Sequence, residues 1–223
     1  MTTPADDFIA PLCADEIDIL YQDEHILLLN KPSGLLSLSG KNPLNKDSVH
    51  YRMVQLFPSI TLAHRLDFGT SGIMVLALNK NANANLTRQF QNRSVNKTYI
   101  SELLGHIEDD AGIINAAIAK DPENFPVLKL CEKSGKGAQS HFKVIARLTS
   151  PIRSRVLFTP LTGRTHQLRI HSLAIGHPIL GCDLYHRENS TQLAPRLLLH
   201  AASIEFDHPA TGQRMSVNCT CPF

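Results

Sequence analysis

The 223-residue sequence predicts an α+β fold dominated by sheet. Three observations carry that expectation. Apolar runs of strand length, such as "HILLLN" at 25–30 and "IMVLAL" at 73–78, recur between clusters of Gly, Pro, Asn and Asp. Helical spacing is confined to three stretches, "DSVHYRMVQLF", the segment from Asn79 to about Asn92, and "GRTHQLRIHSLAIGHP". No repeat, low-complexity tract or linker interrupts the chain, and at 43% hydrophobic residues it has the material for a substantial core.

In chain order, residues 1–15 read as a loose acidic tail, and "IDILYQDEHILLLNKPSG" as two strands joined at the Gln22 to Glu24 turn. Val49, Met53, Leu56 and Phe57 recur at helical spacing after Asp47 or Ser48 as cap, and Pro58 stops that helix. "GIMVLALN" is a strand buried on both faces, followed by a helix capped by Asn79 with Leu86 and Phe90 one turn apart. In "KTYISELLGH", Tyr99, Ser101 and Leu103 share one face of a strand. From Gly105 to Gln139 the pattern predicts an irregular excursion with one or two strands. "QSHFKVIARL" and "SRVLFTPL" pair around Pro151, a helix starts near Thr165 and ends at Gly176, and "RLLLHAASIEF" and "RMSVNCT" are closing strands joined through "DHPATG".

The N-terminus lacks the basic start and apolar stretch of a signal peptide, and the apolar runs are too short to span a bilayer, so a cytoplasmic protein is expected. Five cysteines, mostly isolated, suit free thiols in a reducing compartment, and the "CTC" spacing at Cys219 and Cys221 is too tight for a usual zinc half-site. The net charge of +2 conceals an asymmetry. The first 30 residues hold seven acids and no Lys or Arg, so the other 193 carry 22 basic and 13 acidic side chains, a net of +9. Between Glu132 and Asp183 no acid stands among eight basic residues, Lys133, Lys136, Lys143, Arg147, Arg153, Arg155, Arg164 and Arg169. Such a block fits a polyanion such as RNA or DNA. Equally, it fits a solvated strand face balanced by distant acids.

Two stretches carry candidate chemistry. If "HRLD" (64–67) is extended, Arg65 and Asp67 project to one side and His64 and Leu66 to the other, next to a turn freed by Gly69 and Gly72. Asp67 is then either a catalytic carboxylate on a turn or the cap of that turn, with Arg65 as a surface partner. In "GRTHQLRIH" (163–171), a helix from Thr165 puts His166, Arg169, Ile170 and Leu173 on one face, so Arg169 sits at the core edge and requires a carboxylate. His166 and His171 are five apart, on different helix faces, and no nearby acid completes a ligand set, so no metal is expected. Tyr99 is either an edge aromatic or a group facing a cleft.

Taken in order, "NKPSGLLS" (30–37), "HRLDFGTSGIMVLALN" (64–79), "KTY" (97–99), "GRTHQLRIH" and "HPILGCDLY" (177–185), with "APRLLLHA" (194–201), resemble the motifs of the RluA family of RNA pseudouridine synthases, over about residues 20–215. The resemblance implies a single pseudouridine synthase catalytic domain over 16–223, with a mixed, mostly antiparallel sheet, flanking helices and a central cleft. It implies an isomerase that flips a uridine out of folded RNA and converts it to pseudouridine without metal or cofactor. In the roles it implies, Asp67 is the nucleophile, Arg169 its salt-bridge partner, Tyr99 the aromatic against the base, and Arg65 the residue that enters the space the uridine leaves. Phosphate contacts are expected from Lys133, Lys136, Arg153, Arg155 and Arg164. Many relatives carry an N-terminal RNA-binding module of the S4 type. Here only 29 residues, rich in acids, precede Asn30, so none is expected. That compact plan resembles the member that modifies both a tRNA anticodon stem-loop and a large-subunit rRNA loop, and a monomer acting on both RNAs is expected. Rival readings are a synthase for one RNA class, an RNA-binding module without catalysis, and a nucleoside-directed glycoside hydrolase, for which a second placed acid is missing.

Overall fold

In the computed structural model, which describes residues 8–187 and 189–223, the apolar run after Thr70 becomes strand β4 (Ser71–Ala77), every residue of which is buried. It lies in the first of two units, formed among the described residues by 8–97 and 201–222; the second comprises Thr98–His200 with Phe223. The chain passes between them within β5 (Asn96–Leu104) and again within β11 (Leu199–Asp207).

In the first unit, β1 (Asp18–Gln22) and β2 (Ile26–Lys31) form the expected hairpin, and β2 continues antiparallel onto β4 from Ile26↔Ala77 to Lys31↔Gly72. Beyond β4 come β11 and then β12 (Arg214–Asn218), with the two-residue β3 (Thr61–Leu62) beside β4. Helix α1 (Val49–Val54) starts where Ser48 Oγ accepts from Tyr51 N at 3.0 Å, while Asp47 pairs with Arg52 at 2.7 Å. Helix α2 (Lys80–Gln91) is capped by Asn79, whose Oδ1 accepts from Ala82 N at 2.9 Å. Its Leu86 packs into a core with Leu28 of β2, Ile73 and Val75 of β4 and Phe206 of β11. Gly72 has φ +111°, and a Cβ there would lie 2.3 Å from the Ala201 carbonyl oxygen, so the start of β4 admits only glycine.

Of the expected tail, residues 1–7 lie outside the described residues, and 8–15 differ from expectation. They have no regular structure but are fastened: Asn45 Nδ2 donates to Phe8 O (2.6 Å), Ala10 N to Asn45 Oδ1 (2.7 Å), and Arg52 Nη1 to Asp15 O (2.7 Å).

The second unit is built on β5, β10 (Ile152–Pro160), β9 (Gln139–Thr149) and β6 (Ala111–Asn115), in that order and antiparallel throughout. A separate pair, β7 (Ile118–Lys120) and β8 (Leu128–Leu130), completes the excursion after Gly105. Three strands thus occupy a region expected to hold one or two. The partner of β6 is β9, far along the chain, and Gly112 lies under the Phe142 ring, where a Cβ would meet it at 2.6 Å. Long-range pairing of this kind leaves no local periodicity. Helix α3 (Gln167–Ala174) packs into the core of this unit through Leu168 and Ile170. No helix among the described residues is long and apolar enough to cross a membrane.

A charged contact joins the two hairpin turns of the first unit. Asp23 Oδ1 accepts from His25 N (2.7 Å) and Ile26 N (2.9 Å), and its Oδ2 accepts from Tyr21 Oη (2.9 Å) and His208 Nε2 (2.7 Å). His208 Nδ1 accepts from Thr211 N at 3.1 Å, so its proton is on Nε2, toward Asp23. Partial burial pushes the Asp23 carboxyl up, but these hydrogen bonds outweigh it and hold the pKa at about 2. A folded pKa below the unfolded value contributes stability that is present above about pH 4 and lost as pH falls toward 2. Asp23→Asn is therefore expected to cost about 1–2 kcal/mol at pH 7, with the gap to wild type closing between pH 4 and 2 in urea unfolding. A pH-independent gap would contradict this account.

Candidate active site

In the first unit, the candidate residues lie on a turn laced from below. Strand β2 ends in Lys31, a fully buried lysine whose Nζ donates to the carbonyls of Pro32 (2.8 Å), Leu35 (2.7 Å) and Phe68 (3.2 Å). The same segment reaches the "HRLDFG" stretch three more times. Ser33 Oγ donates to Gly69 O at 2.6 Å and Gly34 N to Phe68 O at 3.0 Å. Ser37 Oγ donates to Leu66 O at 2.7 Å and accepts from Leu66 N at 3.1 Å. The turn itself closes through the main chain, Thr70 N donating to Asp67 O at 3.1 Å. Turn closure therefore does not engage the Asp67 carboxylate, and the capping role open at the sequence level is filled by backbone.

Burial alternates along the motif as an extended segment requires: Leu66 is buried, Arg65 exposed and Asp67 half-buried. His64 is drawn inward. Its Nε2 accepts from Val75 N at 3.1 Å, and its ring stacks on Phe90 at 4.6 Å. Burial, with the nearby Lys97 ammonium adding to it, pushes His64 down to about 3, so the imidazole is neutral at pH 7 and serves as an acceptor. Arg65 lines an open pocket of about 490 Å³ with Leu38, His50 and Leu62.

In the second unit, Arg169 lies on α3 with its side chain 5% exposed. Its Nε and Nη2 both donate to Cys182 Sγ at 3.4 Å, Nη2 also reaches Asp183 Oδ1, and its guanidinium carbon lies 5.4 Å from the Tyr185 ring centroid. The helix begins at Gln167, two residues later than the glycine turn suggested, because His166 takes a left-handed conformation with φ 55°. Gln167 secures that start: Oε1 accepts from Thr162 Oγ1 (2.7 Å) and Arg164 N (3.0 Å), and Nε2 donates to Gln139 O (3.0 Å) and Ser140 Oγ (2.9 Å). His166 pairs through Nδ1 with Tyr185 Oη (3.0 Å), and His171 with Ser140 Oγ and Ala116 O. Both histidines thus hold structure. Tyr99 is half-buried on β5, opposite Phe158 of β10, against the core of this unit.

The basic block divides in three dimensions. Arg153 Nε lies 2.6 Å from Glu102 Oε2 and Arg155 Nη1 3.5 Å from Glu102 Oε1, on a carboxylate whose side chain is 6% exposed. Arg155 also donates to the Phe223 carbonyl. A buried carboxylate needs these cations, so the expectation that both contact phosphate is corrected: their guanidiniums are committed to the fold. Arg147 pairs with Asp110 at 2.8 Å. Lys133 and Lys136 are exposed on one loop, and Arg164, half-buried, donates through Nε to Gly137 O at 3.2 Å, which brings the three cations onto neighbouring loops.

Sequence reasoning missed Lys31, His64, Glu102, Cys182 and Asp183 as working side chains. A lysine ending the apolar strand "ILLLNK" was the one available signal for Lys31, since a cation there must find oxygen partners. Lys31→Met, which orphans the carbonyls of Pro32 and Leu35 and leaves that of Phe68 with Gly34 N alone, is expected to cost about 2–4 kcal/mol in urea unfolding. A cost below about 1 kcal/mol would show that the ammonium does not brace the turn.

The chain matches, over residues 25–174, the family described as RNA pseudouridylate synthase. It is 46% identical over 205 residues to the dual-specificity RNA pseudouridine synthase RluA of Yersinia pestis, covering 92% of this chain and 99% of that protein. The RluA of Escherichia coli K12, with the same descriptive name, is 43% identical over 92% of this chain and 93% of its own. Among solved structures, human RNA pseudouridylate synthase domain containing 1 superposes with a TM-score of 0.78 at 30% identity, covering 96% of this chain and 86% of that one.

Proposed function

This chain belongs to the RNA pseudouridylate synthase family, an isomerase family acting on RNA, and from that premise we propose that it modifies uridines in both a tRNA anticodon stem-loop and a large-subunit rRNA loop. Likeness over most of their length to relatives named for dual specificity supports the substrate pair. The observation that carries the catalytic reading is the turn at Asp67, held by Lys31, Ser33, Gly34 and Ser37 through main-chain atoms so that its carboxylate is not consumed by the fold.

In the reaction, the N1–C1′ glycosidic bond breaks, the uracil turns while held, C5 bonds to C1′, and the proton leaving C5 is balanced by one gained at N1. Atoms and electrons are conserved, so the step requires no redox partner. Asp67 must be ionised to act as nucleophile, at the sugar or the ring. Arg169 is the cation assigned to that carboxylate. With five N–H donors, Arg169 can serve Asp183 and a second carboxylate. Tyr99 covers one face of the uracil. Arg65, exposed beside its pocket, fills the place of the flipped base by stacking, which helps offset the few kcal/mol of unstacking. Lys133, Lys136 and Arg164 contact phosphates. The enzyme works as a cytoplasmic monomer.

Chemical mapping of pseudouridine on unmodified tRNA and rRNA transcripts tests this reading. Wild type is expected to modify specific sites in both, and Asp67→Ala none; identical maps from the two proteins would overturn the assignment of Asp67. Modification of only one RNA class would remove the dual-substrate reading and leave the isomerase. Arg65→Ala is expected to lower turnover on a folded stem-loop about tenfold more than on a short unstructured RNA. Equal losses on both would remove its stacking role.

A further inference from the structure

The segment Gly181–Tyr185 wraps the Arg169 side chain from three directions. Cys182 Sγ, fully buried, receives Nε and Nη2 of Arg169 and also Tyr185 N, all at 3.4 Å. Asp183 takes a second bond from Nη2, and the Tyr185 ring lies against the guanidinium. The turn that makes this possible depends on Gly181, at φ 70°, where a Cβ would fall 1.9 Å from the Arg196 carbonyl oxygen.

A guanidinium is a planar fork, and the edge it spends on one acceptor fixes where the others point. Here the Nε and Nη2 edge closes on sulfur, so Nη1 lies on the side remote from Cys182. The carboxylate of Asp183 cannot set this orientation alone, because its side chain is 71% exposed and it meets a single nitrogen. The sulfur is the buried and bidentate acceptor.

We propose that Cys182 is a positioning residue for the reaction, its sulfur fixing the orientation of the Arg169 guanidinium. The proposal rests on the reading of Arg169 as the cation that serves Asp67. Serine at 182 keeps an acceptor with a shorter reach, and alanine removes it.

Steady-state turnover on a stem-loop RNA, with thermal unfolding to verify folding, compares Cys182→Ala, Cys182→Ser and wild type. Cys182→Ala is expected to lower kcat about tenfold with KM changed less than about twofold, and Cys182→Ser to restore most of the loss. In parallel, the Arg169 Nε–H resonance of ¹⁵N-arginine-labelled protein, assigned with Arg169→Lys, is expected to exchange slowly in wild type and to shift and exchange faster in Cys182→Ala. Wild-type kcat in Cys182→Ala, or a resonance unmoved by that substitution, would overturn the proposal. If the alanine variant does not fold, Cys182→Val, which also removes the acceptor, takes its place: slow exchange in wild type that is kept in Cys182→Ser and lost in Cys182→Val upholds the proposal, and fast exchange in wild type overturns it. Asp67→Ala separates the two levels: an inactive Asp67→Ala beside a fully active Cys182→Ala refutes only the role of Cys182, whereas an active Asp67→Ala refutes the reading beneath it.

Discussion

A buried ammonium, Lys31 Nζ, is the constraint from which the geometry of the candidate turn in the first unit follows. Removed from water, it requires oxygen acceptors, and it takes them from Pro32 and Leu35 on its own loop and from Phe68 on the motif opposite. One cation thereby ties the end of β2 to the residue after Asp67. Ser33, Gly34 and Ser37 add directional hydrogen bonds along the same seam, so the stretch 66–69 is placed through its carbonyls and amides. A turn held this way leaves its side chains for other work, which is what the nucleophile role proposed for Asp67 demands.

The same logic governs the charges of the second unit. A buried acid or base is tolerated only with partners, so Glu102 draws Arg153 and Arg155, and Arg169 draws Asp183 and the Cys182 sulfur. What remains at the surface of the basic block is smaller, Lys143 on β9 and Lys133 and Lys136 on a loop joined to Arg164 through Gly137. Neutral His64 is the counterpart in the first unit: burial suppresses its charge and makes it a fixed acceptor for Val75 N.

Most elements were legible because their causes are local. Ser48 and Asn79 cap α1 and α2 as their side chains and positions suggested, and the apolar runs of β2 and β4 are buried as two-sided strands must be. Elements whose causes are distant were not. Strand β6 exists because β9 lies beside it, and α3 starts at Gln167 because that side chain finds partners on Gln139 and Ser140. Residues 8–15 looked loose because nothing in their own composition announces Asn45 and Arg52 as anchors.

For the site, the resemblance of short motifs in order along the chain marks Arg65, Asp67, Tyr99 and Arg169 as candidates. Which oxygen each cation meets was decided only in three dimensions. Arg153 and Arg155 read as RNA contacts until β5 placed Glu102 between them, Lys31 carried no reading until the Phe68 carbonyl reached it, and Cys182 read only as a free thiol until α3 set Arg169 against it. Sequence determines which side chains carry charge and how the backbone near them will turn. Pairing depends on separations of a few ångströms between residues distant along the chain, and only the packed structure sets those.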